Sequence, residues 1–280
     1  EVGHDFLDIY GYLNQKSTGV GASGDCNVNI NCDAGKDFQD VKHAVSMVVY
    51  DGYLCSGALI NNTRFDGTPY FFTANHCISS DSAARDAVFY FNFESPECDT
   101  SYYNADYQTI SVSDLIATAP DEKLDFSLLE ISETIPIDYE PYYAGWNLDT
   151  VNIENTTTIH HPSGDVKKIT KDIDSPVSAN YGDSYDEYSH WLIQEWDRGT
   201  TEGGSSGAAL FDQQKRIIGD LTGGEASCDY NFNDYFAKIS RSWDDFGSPD
   251  HQLKSWLDPK STHFQSIDGY YPYQDTPSNL

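Results

Sequence analysis

Basic residues are scarce in this 280-residue sequence, which has 16 Lys and Arg against 45 Asp and Glu and a formal net charge of −29. So acidic a surface repels the phosphate backbone of nucleic acids and attracts cationic groups. Long apolar runs are scarce as well. The apolar stretch 44–50 is only as long as a strand, whereas a membrane span needs about 18 residues. We therefore expect neither a nucleic-acid partner nor a membrane span.

The chain has no initiator methionine and no signal-peptide pattern, which predicts a processed or truncated product. Residues 1–18 are predicted to be a leader or a residual pro-segment. Lys16 precedes a stretch rich in Gly and Ser, so the bond between Lys16 and Ser17 is a candidate self-processing site. The tail 270–280, rich in Pro, Tyr and Ser, is expected to be peripheral.

No two cysteines are spaced as a CxxC pair, the pattern that many zinc sites use. Six cysteines are present: Cys26, Cys32, Cys55, Cys77, Cys98 and Cys228. An even number without that pattern favours disulfides over zinc, although the spacing alone leaves many pairings open. Disulfides, a single methionine and 20 tyrosines are typical of an extracellular protein.

Helical patterns are weak, and short β-branched or aromatic segments lie between clusters of Gly, Asn, Asp and Pro. These segments predict strands at 45–50, 55–60, 70–73, 88–93, 126–131, 158–161, 190–194, 208–211, 217–221 and 235–240. Their spacing predicts an all-β sandwich or pair of barrels. Short helices are predicted at 74–79 and 249–257, and the turn-rich region 134–150 is a candidate connection between two halves.

Three short motifs contain candidate catalytic groups. His76 lies in Thr-Ala-Asn-His-Cys, Asp125 opens an apolar strand, and Ser206 lies in Gly-Gly-Ser-Ser-Gly. Each motif alone has an ordinary explanation, namely a surface histidine beside a disulfide, a turn residue and a flexible loop. Their order, His then Asp then Ser, is that of chymotrypsin-like proteases and not of subtilisins or α/β-hydrolases. The N–H groups of Gly204 and Ser206 are then the candidate oxyanion hole.

From about Gly19 to Gly269 the sequence resembles the bacterial lysyl endopeptidases, secreted members of the chymotrypsin-like serine protease superfamily. The matching stretches are 19–20, 24–27, 59–63, 70–77, 125–130, 144–146, 159–162, 201–207, 255–259 and 267–269. The resemblance implies two perpendicular β-barrels with the active site between them and a short C-terminal helix. It implies an N-terminal barrel over 19–140, with the His and Asp of the triad, and a C-terminal barrel over 141–269, with the nucleophile.

The resemblance also implies three disulfides, Cys26–Cys228, Cys32–Cys98 and Cys55–Cys77. It implies a secreted bacterial enzyme made as a zymogen. We also expect a monomer with no cofactor and no metal. Two weak metal candidates have ordinary explanations. The adjacent His160 and His161 face opposite ways if they lie on a strand, and the acidic segment 183–187 lacks the spacing of an EF-hand calcium loop.

The activity that the resemblance implies is hydrolysis of peptide bonds on the carboxyl side of Lys through an acyl-enzyme. His76, Asp125 and Ser206 form the triad in this interpretation. The alternatives are the same protease with Arg or broader basic specificity, and a non-catalytic binding protein on the same fold.

Specificity is assigned by the resemblance to Asp234 at the base of the S1 pocket, with Thr222, Gly223 and Gly224 lining it. Asp229 is a nearby alternative carboxylate, but it follows a cysteine in a loop, whereas Asp234 begins an apolar strand.

The sequence departs from the family pattern near the triad. Tyr181 and Thr222 stand where the family has a Trp and a His. Thr222 is a candidate hydrogen-bond partner of Asp125. Ser205 precedes the nucleophile where trypsin-type enzymes have an Asp that binds the new N-terminus, so we expect no such ion pair here.

Overall fold

Two mainly antiparallel sheets dominate the fold in a computed structural model, which describes residues 23–98, 108–119 and 123–273. The predicted leader 1–18 and residues 274–280 of the predicted tail lie outside the described residues. The strands in those described ranges are β1 (Val28–Asn29), β2 (Val45–Tyr50), β3 (Tyr53–Leu59), β4 (Tyr70–Thr73), β5 (Val88–Phe91), β6 (Gln108–Ser111), β7 (Ser113–Thr118), β8 (Ser127–Ile131), β9 (Trp146–Asn147), β10 (Thr156–His160), β11 (Lys168–Asp172), β12 (Val177–Ala179), β13 (His190–Glu195), β14 (Ala209–Phe211), β15 (Ile217–Gly224), β16 (Phe232–Lys238) and β17 (Ser266–Ile267).

The helices are short. The α-helices are α1 (Asp81–Asp86), α2 (Ile239–Asp244) and α3 (Lys254–Leu257). Short 3-10 helices occur at Asp33–Phe38, Val41–Ala44, Ile137–Tyr139, Pro162–Gly164 and Pro249–His251. No helix formed by the described residues is both long and apolar enough to cross a bilayer.

The first sheet has the strand order β6-β5-β2-β3-β4-β8-β7. Its β2–β3 hairpin turns at Asp51 and Gly52, both with positive φ, as a two-residue turn between twisted strands requires. Strand β4 pairs with both β3 and β8, with Thr73 opposite Ser127. The segment after β4 and the segment before β8 therefore lie side by side.

The second sheet has the order β1-β11-β10-β14-β15-β16-β13-β12; in addition, β9 pairs with β15, and β17 pairs with β9. Strand β1 belongs to this sheet although it precedes the first sheet in sequence, so the N-terminal part of the chain crosses between the two halves. Strand β15 is central and pairs with both β14 and β16. A single buried cluster includes Phe72 and Leu128 of the first sheet and Phe211 and Ala237 of the second, so the sheets share a core.

Four lysines are buried among the residues that the structure describes. Lys42 pairs with Glu94 at 2.5 Å, and the Lys167 ammonium donates to the Lys42 carbonyl at 2.7 Å. Lys168 donates to an asparagine oxygen at 2.6 Å, and Lys238 to a serine oxygen at 2.5 Å. Each buried cation therefore has an acceptor, which offsets the cost of removing it from water.

The prediction of an all-β fold is confirmed, and the predicted strands all overlap observed ones. The three predicted disulfides are present, with Cα–Cα distances of 5.5, 4.3 and 6.2 Å. The division into barrels over 19–140 and 141–269 stays a prediction.

The helix predicted at 74–79 is wrong. Cys77 and Ile78 donate to Ala74, but the backbone N–H of His76 donates instead to the Asp125 carboxylate. The helix begins later, at α1, where Ser80 Oγ accepts from Ala83 N as an N-cap. The predicted helix 249–257 is divided into a 3-10 turn and α3, and the predicted strand 235–240 ends at Lys238, where α2 begins.

Candidate active site

Two hydrogen bonds join His76, which follows the end of β4, to Asp125, which precedes the start of β8. The ring Nδ1 donates to Asp125 Oδ2 at 2.7 Å, and the His76 backbone N–H donates to Oδ1 at 2.9 Å. The Asp125 side chain is 1% exposed and the His76 ring 40% exposed. Burial alone would lower the pKa of His76, but the hydrogen bond and charge of Asp125 outweigh it and raise that pKa above 6.5. The pair therefore offers an oriented base at the surface.

The loop that contains Ser206 is pressed against both sheets. The Ser206 carbonyl accepts from Ser56 N at 2.8 Å, and Gly207 N donates to Leu221 O at 2.8 Å. Gly207 has a φ of +77°, and a Cβ there would overlap Thr73 Oγ1, so only glycine fits. Since Thr73 ends β4 just before His76, this contact brings Ser206 to the histidine's side of the fold. No hydrogen bond joins the His76 ring to Ser206 among the described residues, and such bonds are often long without substrate.

The N–H groups of Gly204 and Ser206 have no hydrogen-bond acceptor in the described parts of the chain. The Gly204 carbonyl, in contrast, accepts from Ser56 Oγ at 3.0 Å. Gly204 has a φ of +93°, and a Cβ on it would lie 3.0 Å from the His161 carbonyl. The carbonyls of Gly204 and Ser206 thus accept hydrogen bonds from other parts of the protein, whereas the N–H groups of the same two residues are unpaired among the described residues. An oxyanion hole needs this arrangement.

Asp234 lies buried in β16, 1% exposed, between β13 and β15. Its Oδ2 accepts from Trp196 Nε1 at 2.7 Å and from Thr201 Oγ1 at 2.6 Å. Burial raises the pKa of Asp234, partly opposed by these bonds and one from the Ala226 amide. The predicted S1 carboxylate is therefore tied to Thr201, five positions before Ser206, and lies against Gly224 of β15.

Thr222 bonds His190 rather than Asp125: its Oγ1 lies 3.1 Å from His190 Nε2, and no bond to Asp125 occurs among the described residues. The other ring nitrogen of His190 lies 2.9 Å from Ser189 Oγ. Burial lowers the pKa of His190 to about 4, with Asp125 opposing that shift and Lys238 adding to it. The Tyr181 ring packs 5.4 Å from the His190 ring, centroid to centroid. His190 is thus a neighbour of the site that the sequence analysis did not single out.

Tyr181 and Gly223 meet at the edge of the candidate pocket. A Cβ built on Gly223 would lie 3.0 Å from the Tyr181 hydroxyl, and the Tyr181 ring packs 4.8 Å from that of Tyr235. The four residues predicted to form the pocket, Thr222, Gly223, Gly224 and Asp234, therefore lie on the adjacent strands β15 and β16.

Two groupings of metal-ligand residue types occur among the described residues, Cys55 with His76 and Cys77, and Cys26 with Glu202 and Cys228. Both consist of a disulfide and one neighbour, and disulfide sulfurs are not thiolate ligands. The adjacent His160 and His161 also have protein partners, Ser205 and Thr170 for the first and the Asp165 carbonyl for the second.

The sequence of this chain is similar to those of known proteins. Residues 20–237 match the family model described as the lysyl endopeptidase C-terminal domain. The chain belongs to the lysyl endopeptidase family. The curated lysyl endopeptidase of Pseudomonas aeruginosa is 31% identical over 245 residues, which is 79% of this chain and 51% of that protein. The chain spans about half the length of this curated relative.

Solved structures share the fold of this lysyl endopeptidase family member at low sequence identity. The scabies mite inactivated protease paralogue S-I1 is 15% identical with a TM-score of 0.52, covering 72% of this chain and 92% of that one. The protease Anisep from Arthrobacter nicotinovorans is also 15% identical, with a TM-score of 0.51 and coverage of 70% and 90%. These likenesses show the fold, that of the chymotrypsin-like serine proteases, and nothing about activity.

Proposed function

We propose that this chain is a serine endopeptidase that cleaves peptide bonds on the carboxyl side of lysine. The observation that carries the proposal is the bonded His76–Asp125 pair on the side of the fold to which Ser206 is held, with the amides of Gly204 and Ser206 unpaired. These are the parts that acyl transfer requires: a base, an orienting carboxylate, a nucleophile and donors for the developing charge.

In the proposed acylation step, Ser206 Oγ attacks the substrate carbonyl carbon while His76 Nε2 takes the hydroxyl proton. The carbonyl oxygen becomes an oxyanion held by the N–H groups of Gly204 and Ser206. Asp125 accepts the Nδ1–H of His76 and stabilises the imidazolium. The imidazolium then gives its proton to the leaving amine as the C–N bond breaks, and water hydrolyses the acyl-enzyme by the same steps in reverse order.

Preference for lysine over arginine follows in this proposal from the bonds that Asp234 already makes. Its Oδ2 accepts from both Trp196 and Thr201, which leaves mainly Oδ1 for a substrate. An ammonium is a point charge that one oxygen can bind, whereas a guanidinium is bound best by two parallel hydrogen bonds to both oxygens. A substrate cation also relieves the cost of ionising this buried carboxyl, because it favours the charged form.

We also propose that the protein acts outside the cell, because three disulfides persist best in an oxidising compartment. We propose that it acts as a monomer, with two barrels that meet near residue 140. The acidic surface would speed the approach of basic substrates in a manner that falls with salt.

The test is cleavage of peptides that differ only in the residue before the scissile bond, with products identified by mass spectrometry. We expect cleavage after Lys, slower cleavage after Arg, none after uncharged residues, and no turnover by Ser206→Ala. Asp234→Asn should remove the preference for Lys while the enzyme still reacts with a sulfonyl fluoride at Ser206. Full activity of Ser206→Ala overturns the proposal. Equal cleavage after Lys and Arg supports the broader basic specificity, and an unlabelled Ser206 in folded protein supports a binding protein.

A further inference from the structure

His160 is a fully buried histidine on β10 that none of the proposed chemical steps uses. Its Nδ1 lies 2.7 Å from Ser205 Oγ, and its Nε2 lies 3.0 Å from Thr170 Oγ1. Ser205 directly precedes the proposed nucleophile and lies between the two proposed oxyanion donors. The His160 ring therefore contacts the nucleophile loop through Ser205, the residue between Gly204 and Ser206.

The hydrogen bonds around His160 have a single consistent direction. Thr170 Oγ1 donates to the Thr200 carbonyl at 2.9 Å, so its remaining lone pair accepts from His160 Nε2–H. A neutral imidazole has only one N–H, so Nδ1 accepts from the Ser205 hydroxyl. Ser205 Oγ in turn accepts from Glu202 N–H at 3.2 Å. These hydrogen bonds are all satisfied when the His160 ring is neutral and its proton is on Nε2.

The surroundings keep the ring in that neutral form. Burial and, to a smaller extent, the charge of Lys168 together lower the pKa of His160 to about 3. A protonated ring would carry a second N–H pointing at the Ser205 hydroxyl, which would have to turn away and give up its bond. The imidazole thus acts as a fixed acceptor throughout the neutral range.

We propose that His160 is a positioning residue that holds Ser205, and through it the amides of Gly204 and Ser206, in the geometry that stabilises the oxyanion. The inference rests on the proposed function and deepens it. Trypsin-type enzymes have a charged carboxylate before the nucleophile, whereas this chain has the uncharged Ser205 bonded to a buried imidazole. The chain from Glu202 through Ser205 and His160 to Thr170 and Thr200 connects the two ends of the loop before Ser206.

Transition-state binding separates this role from a purely structural one. A peptide ending in lysine aldehyde forms a tetrahedral adduct with Ser206 and depends on the oxyanion donors, whereas pentylamine tests only the S1 carboxylate. Removing one oxyanion donor costs about 100- to 1000-fold in kcat, and misplacing it should cost less. For Ser205→Ala and His160→Leu we expect kcat to fall and aldehyde affinity to weaken by about 10- to 100-fold, with KM and pentylamine affinity changed less than about threefold.

Two substitutions at position 160 test which nitrogen matters. The Asn side-chain oxygen in His160→Asn reaches about as far as Nδ1 and can accept from Ser205, whereas the Gln amide in His160→Gln replaces the Nε2 donor to Thr170. We expect His160→Asn to retain more activity than His160→Gln. The double variant His160→Leu/Ser205→Ala should lose no more kcat or aldehyde affinity than the more impaired of the two single variants, because both substitutions remove the same interaction.

His161→Gln is the matched control. His161 is equally buried and adjacent, but its Nδ1 donates to the Asp165 carbonyl at 3.0 Å and its ring stacks 5.9 Å from that of Phe93. We expect this variant to lose stability without losing aldehyde affinity. Rates are expressed per active site, by titration of Ser206, so that misfolded protein does not contribute.

The inference is overturned if Ser205→Ala, the smallest change, binds the aldehyde as tightly as the unchanged enzyme, or if His161→Gln weakens aldehyde binding as much as His160→Leu. If His160→Leu does not fold, Ser205→Ala alone decides. Failure of the proposed function has a different signature, since the unchanged protein would then neither cleave the Lys peptide nor react at Ser206.

Discussion

Gly224 lies directly against the Oδ1 atom of Asp234, in a position where an added Cβ would overlap that oxygen. The other oxygen, Oδ2, is bonded to Trp196 and Thr201. The absence of a side chain at position 224 therefore leaves Oδ1 uncovered by strand β15. In the proposed function, this is the oxygen that binds the substrate ammonium.

Gly224→Ala should accordingly raise KM for Lys substrates at least about tenfold. The new methyl would overlap both Asp234 Oδ1 and the Asn233 carbonyl oxygen, so the carboxylate must shift, and one charge-assisted hydrogen bond is worth about 1.5–3 kcal/mol. Steady-state kinetics on a Lys peptide measures the effect. Gly203→Ala is the control, since a Cβ there meets nothing within 4 Å. Equal KM values for Gly224→Ala and the unchanged enzyme would show that Asp234 is not the S1 carboxylate.

The fall of activity at low pH should follow the protonation of His76. The base must be neutral to accept the Ser206 proton, and Asp125 raises the pKa of His76 above 6.5. As the pH falls through that pKa, the ring becomes protonated and kcat/KM declines. A pH profile of kcat/KM should therefore show an apparent pKa above 6.5.

Asp125→Asn should lower kcat at neutral pH by about 10⁴-fold, because an amide does not hold the required tautomer. It should also move the acid limb to lower pH, since the carboxylate no longer stabilises the imidazolium. If the acid-side midpoint of the kcat/KM profile is unchanged in Asp125→Asn, a group other than His76 controls the loss of activity at low pH.

A buried carboxyl outside the proposed mechanism should cost stability at neutral pH. Asp220 on β15 is fully buried, and neither of its oxygens has a hydrogen-bond partner among the described residues. Burial, followed by the charge of Asp125, raises the pKa of Asp220 well above 3.8. The folded state therefore keeps a proton that the unfolded state releases above pH 3.8, so this group lowers stability as the pH rises from there towards its folded pKa.

Asp220→Leu should thus stabilise the protein relative to the unchanged chain, with a gain that increases by up to about tenfold in the folding equilibrium constant per pH unit. Urea denaturation at pH 5 and pH 8 measures the difference. Asp220→Asn retains the shape but does not titrate, so it should show the same pH-dependent part. A stability difference that is constant with pH would mean that Asp220 does not hold its proton in the folded state.

The disulfide between Cys26 and Cys228 should affect both stability and substrate binding. It fixes the start of the described chain beside Glu202, whose Oε1 accepts from Gly24 N at 3.0 Å and Asn27 Nδ2 at 2.9 Å. Replacing both cysteines by Ala should cost about 2–4 kcal/mol in the free energy of unfolding. It should also raise KM, because Cys228 lies in the segment whose Ala226 amide bonds Asp234.

Removing Cys32–Cys98 serves as the comparison for that experiment, because neither cysteine contacts the site residues. It should lower stability by a similar amount and leave KM unchanged. Thermal melts and steady-state kinetics on both double variants measure the two effects. A KM that rises equally in both would indicate a general loosening of the fold.

Sequence alone predicted the strands with β-branched or aromatic runs and missed several others, including β11. Strand β11 buries Lys168 and Asp172, and neither residue type suggests a strand interior. The helix predicted at 74–79 failed because a carboxylate from a distant segment takes the His76 amide. Local patterns contain no information about that competitor.

The candidate site shows the same division. His76, Asp125 and Ser206 could be singled out because their order and flanking residues resemble a family. His160 and His190 could not be given roles, because their partners, Ser205 and Thr222, are 45 and 32 residues away in sequence. A buried histidine on a strand has no local pattern that distinguishes a structural role from a supporting one.

The burial of Lys42, Lys167, Lys168 and Lys238 has a consequence for how such an enzyme survives among its own copies. An enzyme that cleaves after lysine meets potential substrate in every neighbouring molecule, and each lysine on its surface is a point of attack. These four lie inside the fold with their ammonium groups bonded, so the peptide bonds that follow them become accessible only when the chain opens. If the chain cleaves after lysine as proposed, self-digestion at these four positions would therefore depend on the stability of the folded state.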